Sequence, residues 1–216
     1  MLSARGLVVG YRCGEPVLDG VDLDVQPGET VGLAGPSGCG KSTLARVLAL
    51  LLAPWRGTVE LDGEKITGFR YTAPVAARTA VGLVFQQPRL AVDPRTPLRQ
   101  VIAEPLHATG RSARAPAAVA ELAERVGLTS ELLGRAPHEV SDGQLQRACL
   151  ARALVLAPRY LLCDEMTATV DASTTAALVG VVRAEAAQQG VGVLAISHDD
   201  DLLGVWADRV VSLRDP

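Results

Sequence analysis

One stretch, Gly35-Pro-Ser-Gly-Cys-Gly-Lys-Ser-Thr43, limits this chain to few folds, because it works only when a strand delivers it and a helix carries it away. Both flanks are present: the apolar run Thr30-Val-Gly-Leu-Ala34 precedes it and a helical pattern from Leu44 to Leu52, starting near Ser42, follows. The spacing is that of a phosphate-binding loop. Gly35, Gly38 and Gly40 allow the backbone to turn its N–H groups inward around phosphate oxygens, and the following helix adds the positive end of its dipole. Lys41 is expected to reach the β- and γ-phosphates and Ser42 to give an oxygen to Mg²⁺, with Pro36, Ser37, Cys39 and Thr43 completing the wall. A nucleoside triphosphatase is the reading these residues imply.

Composition excludes more than it assigns. With 24 acidic against 21 basic residues, the net charge of −3 offers no field for a polyanion, so nucleic acid is not an expected partner. The apolar content is 48%, but no stretch is long and charge-free enough to cross a bilayer, and the start Met1-Leu-Ser-Ala-Arg-Gly is too quickly polar for a secretory signal. Cys13, Cys39, Cys149 and Cys163 have neither metal-ligand spacing nor disulfide-scaffold density, which predicts reduced and mostly buried thiols.

The pattern along the chain alternates short strands with helices. Strands are predicted at Leu7 to Tyr11, Val17 to Val25, Thr30 to Ala34, Thr58 to Leu61 before the Asp62-Gly63 turn, and Val81 to Phe85. Between about Pro88 and Glu139 only helical patterns occur, at Leu98 to His107 and Ala117 to Val126. The α/β period then returns, with a helix through Gln144 to Leu156, the strand Tyr160 to Cys163, a helix from Ala172 to Gln188, the strand Val191 to Ser197, a short helix near Asp200 to Trp206 and a last strand Arg209 to Leu213. The expectation is an α/β protein of one domain over 1–216: a mainly parallel sheet, an N-terminal antiparallel β part and a helical subdomain inserted at 88–143.

A second acidic site follows the loop. Leu161-Leu-Cys-Asp-Glu165 ends an apolar strand in two carboxylates, which places Asp164 to position Mg²⁺ and Glu165 to polarise an attacking water. Strands also end in acidic turns for purely structural reasons, and only the upstream loop gives the pair its meaning. With Ser141-Asp-Gly-Gln-Leu-Gln-Arg147, Gln86 after its strand and His198 after Leu194-Ala-Ile-Ser197, the order of motifs resembles that of ABC-type ATPases over nearly the whole chain.

That resemblance implies roles residue by residue. Tyr11 resembles the aromatic that stacks on adenine, with an ordinary edge-strand tyrosine as the alternative. Gln86 resembles the glutamine that senses γ-phosphate and Mg²⁺, although Gln87 leaves the register open by one. Ser141, Gly143 and Gln144 resemble the signature that faces the nucleotide of an opposing subunit, Asp171 the aspartate that links subunits, and His198 the histidine that contacts γ-phosphate. The implied assembly is a head-to-tail pair of ATP-binding subunits, identical or related, that drives membrane-embedded permease subunits from the cytoplasmic side, with an extracytoplasmic solute-binding protein in the full system. Two further readings stay open, a soluble ABC-type ATPase of repair or translation and a regulatory nucleotide binder that does not hydrolyse.

Two positions depart from the commonest pattern. Asp142 stands where glycine is usual in the signature, and like-charge repulsion with a partner-bound triphosphate is expected unless its side chain turns away. Met166 stands where proline usually follows the glutamate. Gln87-Pro-Arg-Leu-Ala-Val-Asp-Pro-Arg95 and Ile102-Ala-Glu-Pro-Leu106 bring the resemblance closest to ATPases of the peptide and nickel importer group. Pro216 closes the sequence soon after the last predicted strand, which fits a minimal nickel or small-metallophore subunit as readily as a peptide one. His107 and His138 are isolated and are not expected to bind nickel.

Overall fold

A computed structural model describes residues 1–12 and 14–213; Cys13 and the C-terminal Pro216 lie outside the described residues. The elements run β1 (Leu2–Val9), β2 (Leu18–Val25), β3 (Thr30–Ala34), α1 (Lys41–Leu48), β4 (Arg56–Leu61), β5 (Glu64–Lys65), α2 (Val75–Ala80) and β6 (Val81–Val84). They continue with α3 (Leu98–Ala108), α4 (Ala115–Arg125), α5 (Asp142–Leu154), β7 (Tyr160–Asp164), α6 (Ala172–Gln189), β8 (Gly192–Ile196), α7 (Asp200–Trp206) and β9 (Arg209–Ser212).

Five strands pair in parallel in the order β6-β7-β8-β3-β9, and four N-terminal strands pair antiparallel in the order β2-β1-β4-β5. The apolar runs of β7 and β8 are buried at every residue, as strands covered on both faces must be. Their side chains alternate between two cores. Leu161, Cys163, Val193 and Ala195 point to the core shared with α3, α4, α5 and α6, whereas Tyr160, Leu162, Leu194 and Ile196 point to the core shared with α1 and the antiparallel sheet.

The helices of the 88–143 segment do not form a core of their own. Leu98, Ile102 and Leu106 of α3 and Val119 and Leu122 of α4 pack on Leu145, Ala148 and Cys149 of α5, whose opposite side rests on the parallel sheet. Arg125 of α4 also pairs with the buried Glu185 of α6. Polar loops join elements whose apolar faces have already met, so the segment adds a layer and does not interrupt the sheet.

Several boundaries differ from the sequence expectation. Strand β1 begins at Leu2, five residues before the predicted Leu7, and ends at Val9, leaving Tyr11 in the turn beyond it. The charged and glycine residues Arg5 and Gly6 conceal this strand, because they fall at register shifts in its pairing with β2 and β4. Helix α1 stops at Leu48, and Leu50 adopts a left-handed φ of 60° that ends the run before Leu52. The short α2 was not anticipated. Of the cysteines, Cys39, Cys149 and Cys163 are free and buried as expected, and burial raises the thiol pKa of Cys149 to about 11.

Candidate nucleotide site

The site gathers at the carboxyl ends of the parallel strands, where open α/β sheets place their ligands. Strand β3 feeds the phosphate loop, β6 leads to Gln86, β7 ends in Asp164 and Glu165, and β8 leads to His198. Because β8 lies between β3 and β7, α1 must reach across one strand to meet the carboxylates. It does so through Ser42, whose Oγ donates to Asp164 Oδ1 at 2.9 Å.

The loop geometry demands its glycines. Gly35 has φ 147° and Gly40 φ 101°, and a Cβ added at Gly40 would sit 2.5 Å from Leu18 Cδ2. Gly40 is the N-cap of α1 and no side chain caps this helix, so its first N–H groups are left for an anion. Pro36, Ser37 and Gly38 form the exposed rim, while Cys39 and Thr43 are buried beneath it. Lys41 is only 5% exposed, and its Nζ donates to Gly35 O at 2.7 Å and Pro36 O at 2.8 Å, which holds the ammonium inside the loop.

Carboxylates and amides meet across the strand ends. Gln86 Nε2 donates to Glu165 Oε2 at 2.6 Å, which settles Gln86, not Gln87, as the residue in contact with the acid. His198 Nδ1 lies 3.8 Å from the same oxygen, near but beyond hydrogen-bond range. Glu165 holds a left-handed φ of 47°, with its N–H donated to Ile196 O at 3.0 Å. Met166 is buried in the core below and spares Glu165 the restriction that a following proline imposes. Burial pushes the Asp164 carboxyl above the usual carboxylate range, opposed by the Ser42 hydroxyl that donates to it.

Mg²⁺ and a triphosphate fit these residues. Ser42 Oγ and Asp164 Oδ1 are hard oxygen donors already side by side, and a buried carboxylate with a raised pKa gains most from a cation. Among the described residues no group of three or more His, Cys, Asp or Glu is placed to hold a metal ion, so Mg²⁺ here would draw its remaining ligands from phosphate and water. A cleft of about 420 Å³ opens beside them, lined in part by Ser42, Arg46, Gln86 and Asp164.

The remaining residues are spread around this centre. Tyr11 is 58% exposed, and its hydroxyl is within hydrogen-bond distance of Thr43 Oγ1 at 3.2 Å and accepts from Arg46 Nη1 at 3.1 Å, so its ring lies against α1. Ser141 and Gln144 cap α5 reciprocally: Gln144 N donates to Ser141 Oγ at 3.2 Å, and Ser141 N to Gln144 Oε1 at 3.0 Å. Asp171 caps α6 by accepting from Thr174 N at 2.9 Å and from the hydroxyls of Ser173 and Thr174. Those bonds, Ser173's foremost, hold its carboxyl well below the usual range. A Cβ on Gly143 would lie 3.1 Å from Thr174 Cγ2, which ties the signature to the α6 cap.

Among the described residues, none of Ser141, Gly143 or Gln144 is hydrogen-bonded to the phosphate loop of its own chain. Sequence reasoning missed Arg46 and Arg89, whose partners are distant in sequence and have no motif spacing. The sequence sets Asp142 against a facing phosphate unless its side chain turns away. It does turn, toward Arg89, whose Nε donates to Asp142 Oδ1 at 2.7 Å. His107 and His138 are engaged locally, His107 Nδ1 with Ser112 Oγ at 2.8 Å and His138 Nδ1 with Pro94 O at 3.0 Å.

Comparison with known proteins gives this geometry relatives. Residues 18–168 match the family model described as ABC transporter. The chain is 42% identical over 207 residues to a protein of Brucella abortus (strain 2308) named for peptide import, covering 94% of this chain and 62% of that one. It is 36% identical over 210 residues to the nickel import ATP-binding protein NikE of Escherichia coli (strain UTI89 / UPEC), covering 96% of this chain and 78% of that one. Thus the chain spans less than two thirds of the length of the first of these relatives. Among solved structures, the ATP-binding cassette MJ0796 in a dimeric post-hydrolysis state bound to ADP and Pi superposes with TM-score 0.87 at 25% identity, over 100% of this chain and 95% of that one. From family model, relatives and fold together, the chain belongs to the ABC transporter family of ATP-binding proteins.

Proposed function

We propose that this chain is the ATP-binding and ATP-hydrolysing subunit of a membrane importer for oligopeptides or for nickel and its small chelates. The observation that carries the reading is the meeting of four strand ends at one point: Ser42 on Asp164, Gln86 on Glu165 and His198 beside them, next to an uncapped helix N-terminus. Names of relatives support the cargo class, since both peptide import and nickel import occur among them.

In this reading the chain's own groups divide the work. The loop amides and Lys41 bind the β- and γ-phosphates, with Tyr11 against the base, and Ser42 with Asp164 would hold Mg²⁺. Mg²⁺ supplies charge neutralisation on the phosphates when bound. Glu165 Oε2 accepts the proton of the attacking water, Gln86 fixes that oxygen by its amide N–H, and His198 stands at the γ-phosphate side. A second ATP-binding subunit, identical or related, brings Ser141, Gly143 and Gln144 to the opposite side of each nucleotide, and Asp171 lies at the junction. The segment 88–143 acts as the helical subdomain that meets permease subunits, placing the protein peripherally on the cytoplasmic face of the membrane with a solute-binding protein outside. No helix among the described residues is long and apolar enough to cross a membrane.

Affinity purification of the tagged chain from its native membrane, with identification of copurifying proteins, tests this reading. A multispanning permease together with Mg²⁺-dependent phosphate release is expected. Recovery with ribosomes or repair complexes instead would overturn it. Uptake of labelled oligopeptide against labelled nickel by the intact system then separates the two cargo classes.

A further inference from the structure

The segment that follows β6 is stitched to α5 at three places. Buried Gln146 donates from Nε2 to Phe85 O at 3.2 Å, Arg152 Nη1 donates to Ala91 O at 2.6 Å, and Arg89 lies between them. Arg89 makes the densest of these contacts. Its Nε and Nη2 both lie 2.7 Å from Asp142 Oδ1, Nη1 donates to Pro137 O at 2.9 Å, and Nη2 donates to Val140 O at 3.1 Å. One guanidinium therefore holds the first residue of α5 and the turn that enters it, a task for a planar fork and not for a point charge.

The position of Arg89 in the chain gives this clamp its meaning. It lies three residues after Gln86, whose amide contacts Glu165, while Asp142 lies directly after Ser141 and directly before Gly143. We propose that Arg89 is a positioning residue that ties the Gln86 segment to the signature and masks the charge of Asp142, so that an acidic signature can approach a triphosphate. This rests on the composite ATP site proposed above. Without Arg89, a carboxylate at the start of α5 would oppose the attraction that the helix end offers an anion. With it, any shift of Gln86 on nucleotide binding is passed to Ser141, Gly143 and Gln144 through a rigid segment. Asp142 thus makes sense with Arg89 beside it.

The test is a double-mutant cycle in the Glu165→Gln background, reading the ATP concentration for half-maximal pairing of the full-length chain by light scattering, with the related subunit added if the native complex contains one. Arg89→Ala is expected to raise that concentration about fivefold, the scale of one partly exposed ion pair with added hydrogen bonds. In chains carrying Asp142→Gly the same change should cost only about twofold, since no carboxylate is left to unmask and only the bonds to Pro137 O and Val140 O are lost. Raising the salt from about 0.05 M to 0.5 M should shrink the Arg89→Ala defect by screening. Arg89→Lys, which keeps the charge and loses the fork, should fall between parent and Arg89→Ala, and its milder change guards against loss of folding. ATP affinity of the single chain should be unchanged throughout.

Amide exchange of residues 137–147 in the single chain gives a readout independent of pairing. ATP should slow it in the parent and leave it unmoved in Arg89→Ala. An equal cost of Arg89→Ala with and without Asp142, or an exchange response that survives the loss of Arg89, overturns the clamp. A parent that binds ATP but never pairs overturns the composite-site reading, and the exchange response still decides on the clamp.

Discussion

The phosphate loop and the Ser141–Gln144 segment, proposed above to serve one nucleotide from opposite sides, are built differently. The loop grows from buried parallel strands, and its key side chains are bonded into the protein before any ligand is considered: Lys41 to two carbonyls, Ser42 to Asp164, Gln86 to Glu165. The signature sits at a helix start whose Ser141 is exposed and whose bonds are a capping box and the Arg89 contact. In the proposed composite site, the half held by a core would bind while the half held by a cap closes on it. Rigid binding and movable closure then fail separately, and mutations can tell them apart.

The largest expected effect lies on the rigid side and concerns chemistry alone. Glu165→Gln removes the only proton acceptor assigned to the water, so steady-state phosphate release should fall ~10²–10⁴-fold while nucleotide affinity holds. Lys41→Ala comes next. It deletes a charged donor to phosphate, and triphosphate affinity, followed by calorimetry, should weaken ~10–100-fold. His198→Ala, measured beside it, should lower turnover and spare affinity, because the ring stands near Glu165 and has no bond to the loop. Equal losses of affinity in the lysine and histidine variants would erase the division between binding and chemistry.

The signature side should yield smaller numbers. Ser141→Ala breaks the capping box of α5 and should cost ~1 kcal/mol of stability, seen as a fall of ~2–4 °C in melting temperature. ATP affinity of the single chain should not change, whereas pairing of subunits should weaken. A loss of affinity as large as that of Lys41→Ala would show that the two regions are not mechanically separate.

The loop's fold is more legible in the sequence than the contacts around the start of α5, and the cause is physical. Loop, strand and carboxylates are local patterns: glycine spacing fixes the turn at Gly35 to Gly40, and apolar runs such as Leu161 to Cys163 announce buried strands. The sequence leaves the register between Gln86 and Gln87 open, and it is Gln86 that makes the 2.6 Å contact with Glu165. What was missed depends on partners far away in sequence. The Arg89–Asp142 pair spans more than fifty residues, Tyr11 finds Thr43 and Arg46 through a turn, and β1 hides behind Arg5 and Gly6 because bulges break its alternation. Asp142 alone reads as a charge that repels a facing phosphate unless it turns away, and Arg89 is the partner to which it turns.

The smallest effect concerns Asp171, which caps α6 at the turn where Thr174 lies against Gly143. Its carboxylate accepts from Ser173, from Thr174 N and from the Thr174 hydroxyl, and those donors favour the charged form. Asp171→Asn keeps a capping oxygen and loses the charge, so at pH 7 the melting temperature should fall by only about 1–2 °C. The pH dependence is the sharper signature. Because native Asp171 binds its proton more weakly than the unfolded chain does, the unfolded chain is protonated first as the pH falls through ~4. The advantage of the wild type is therefore complete above that pH and drains away below it, toward the depressed native value. Melting both proteins at pH 7, 5 and 3 should show the gap constant between the first two and narrower at the third. A gap that persists unchanged at pH 3 would mean that the cap works by shape alone, and that no charge at the α6 terminus is felt where the signature begins.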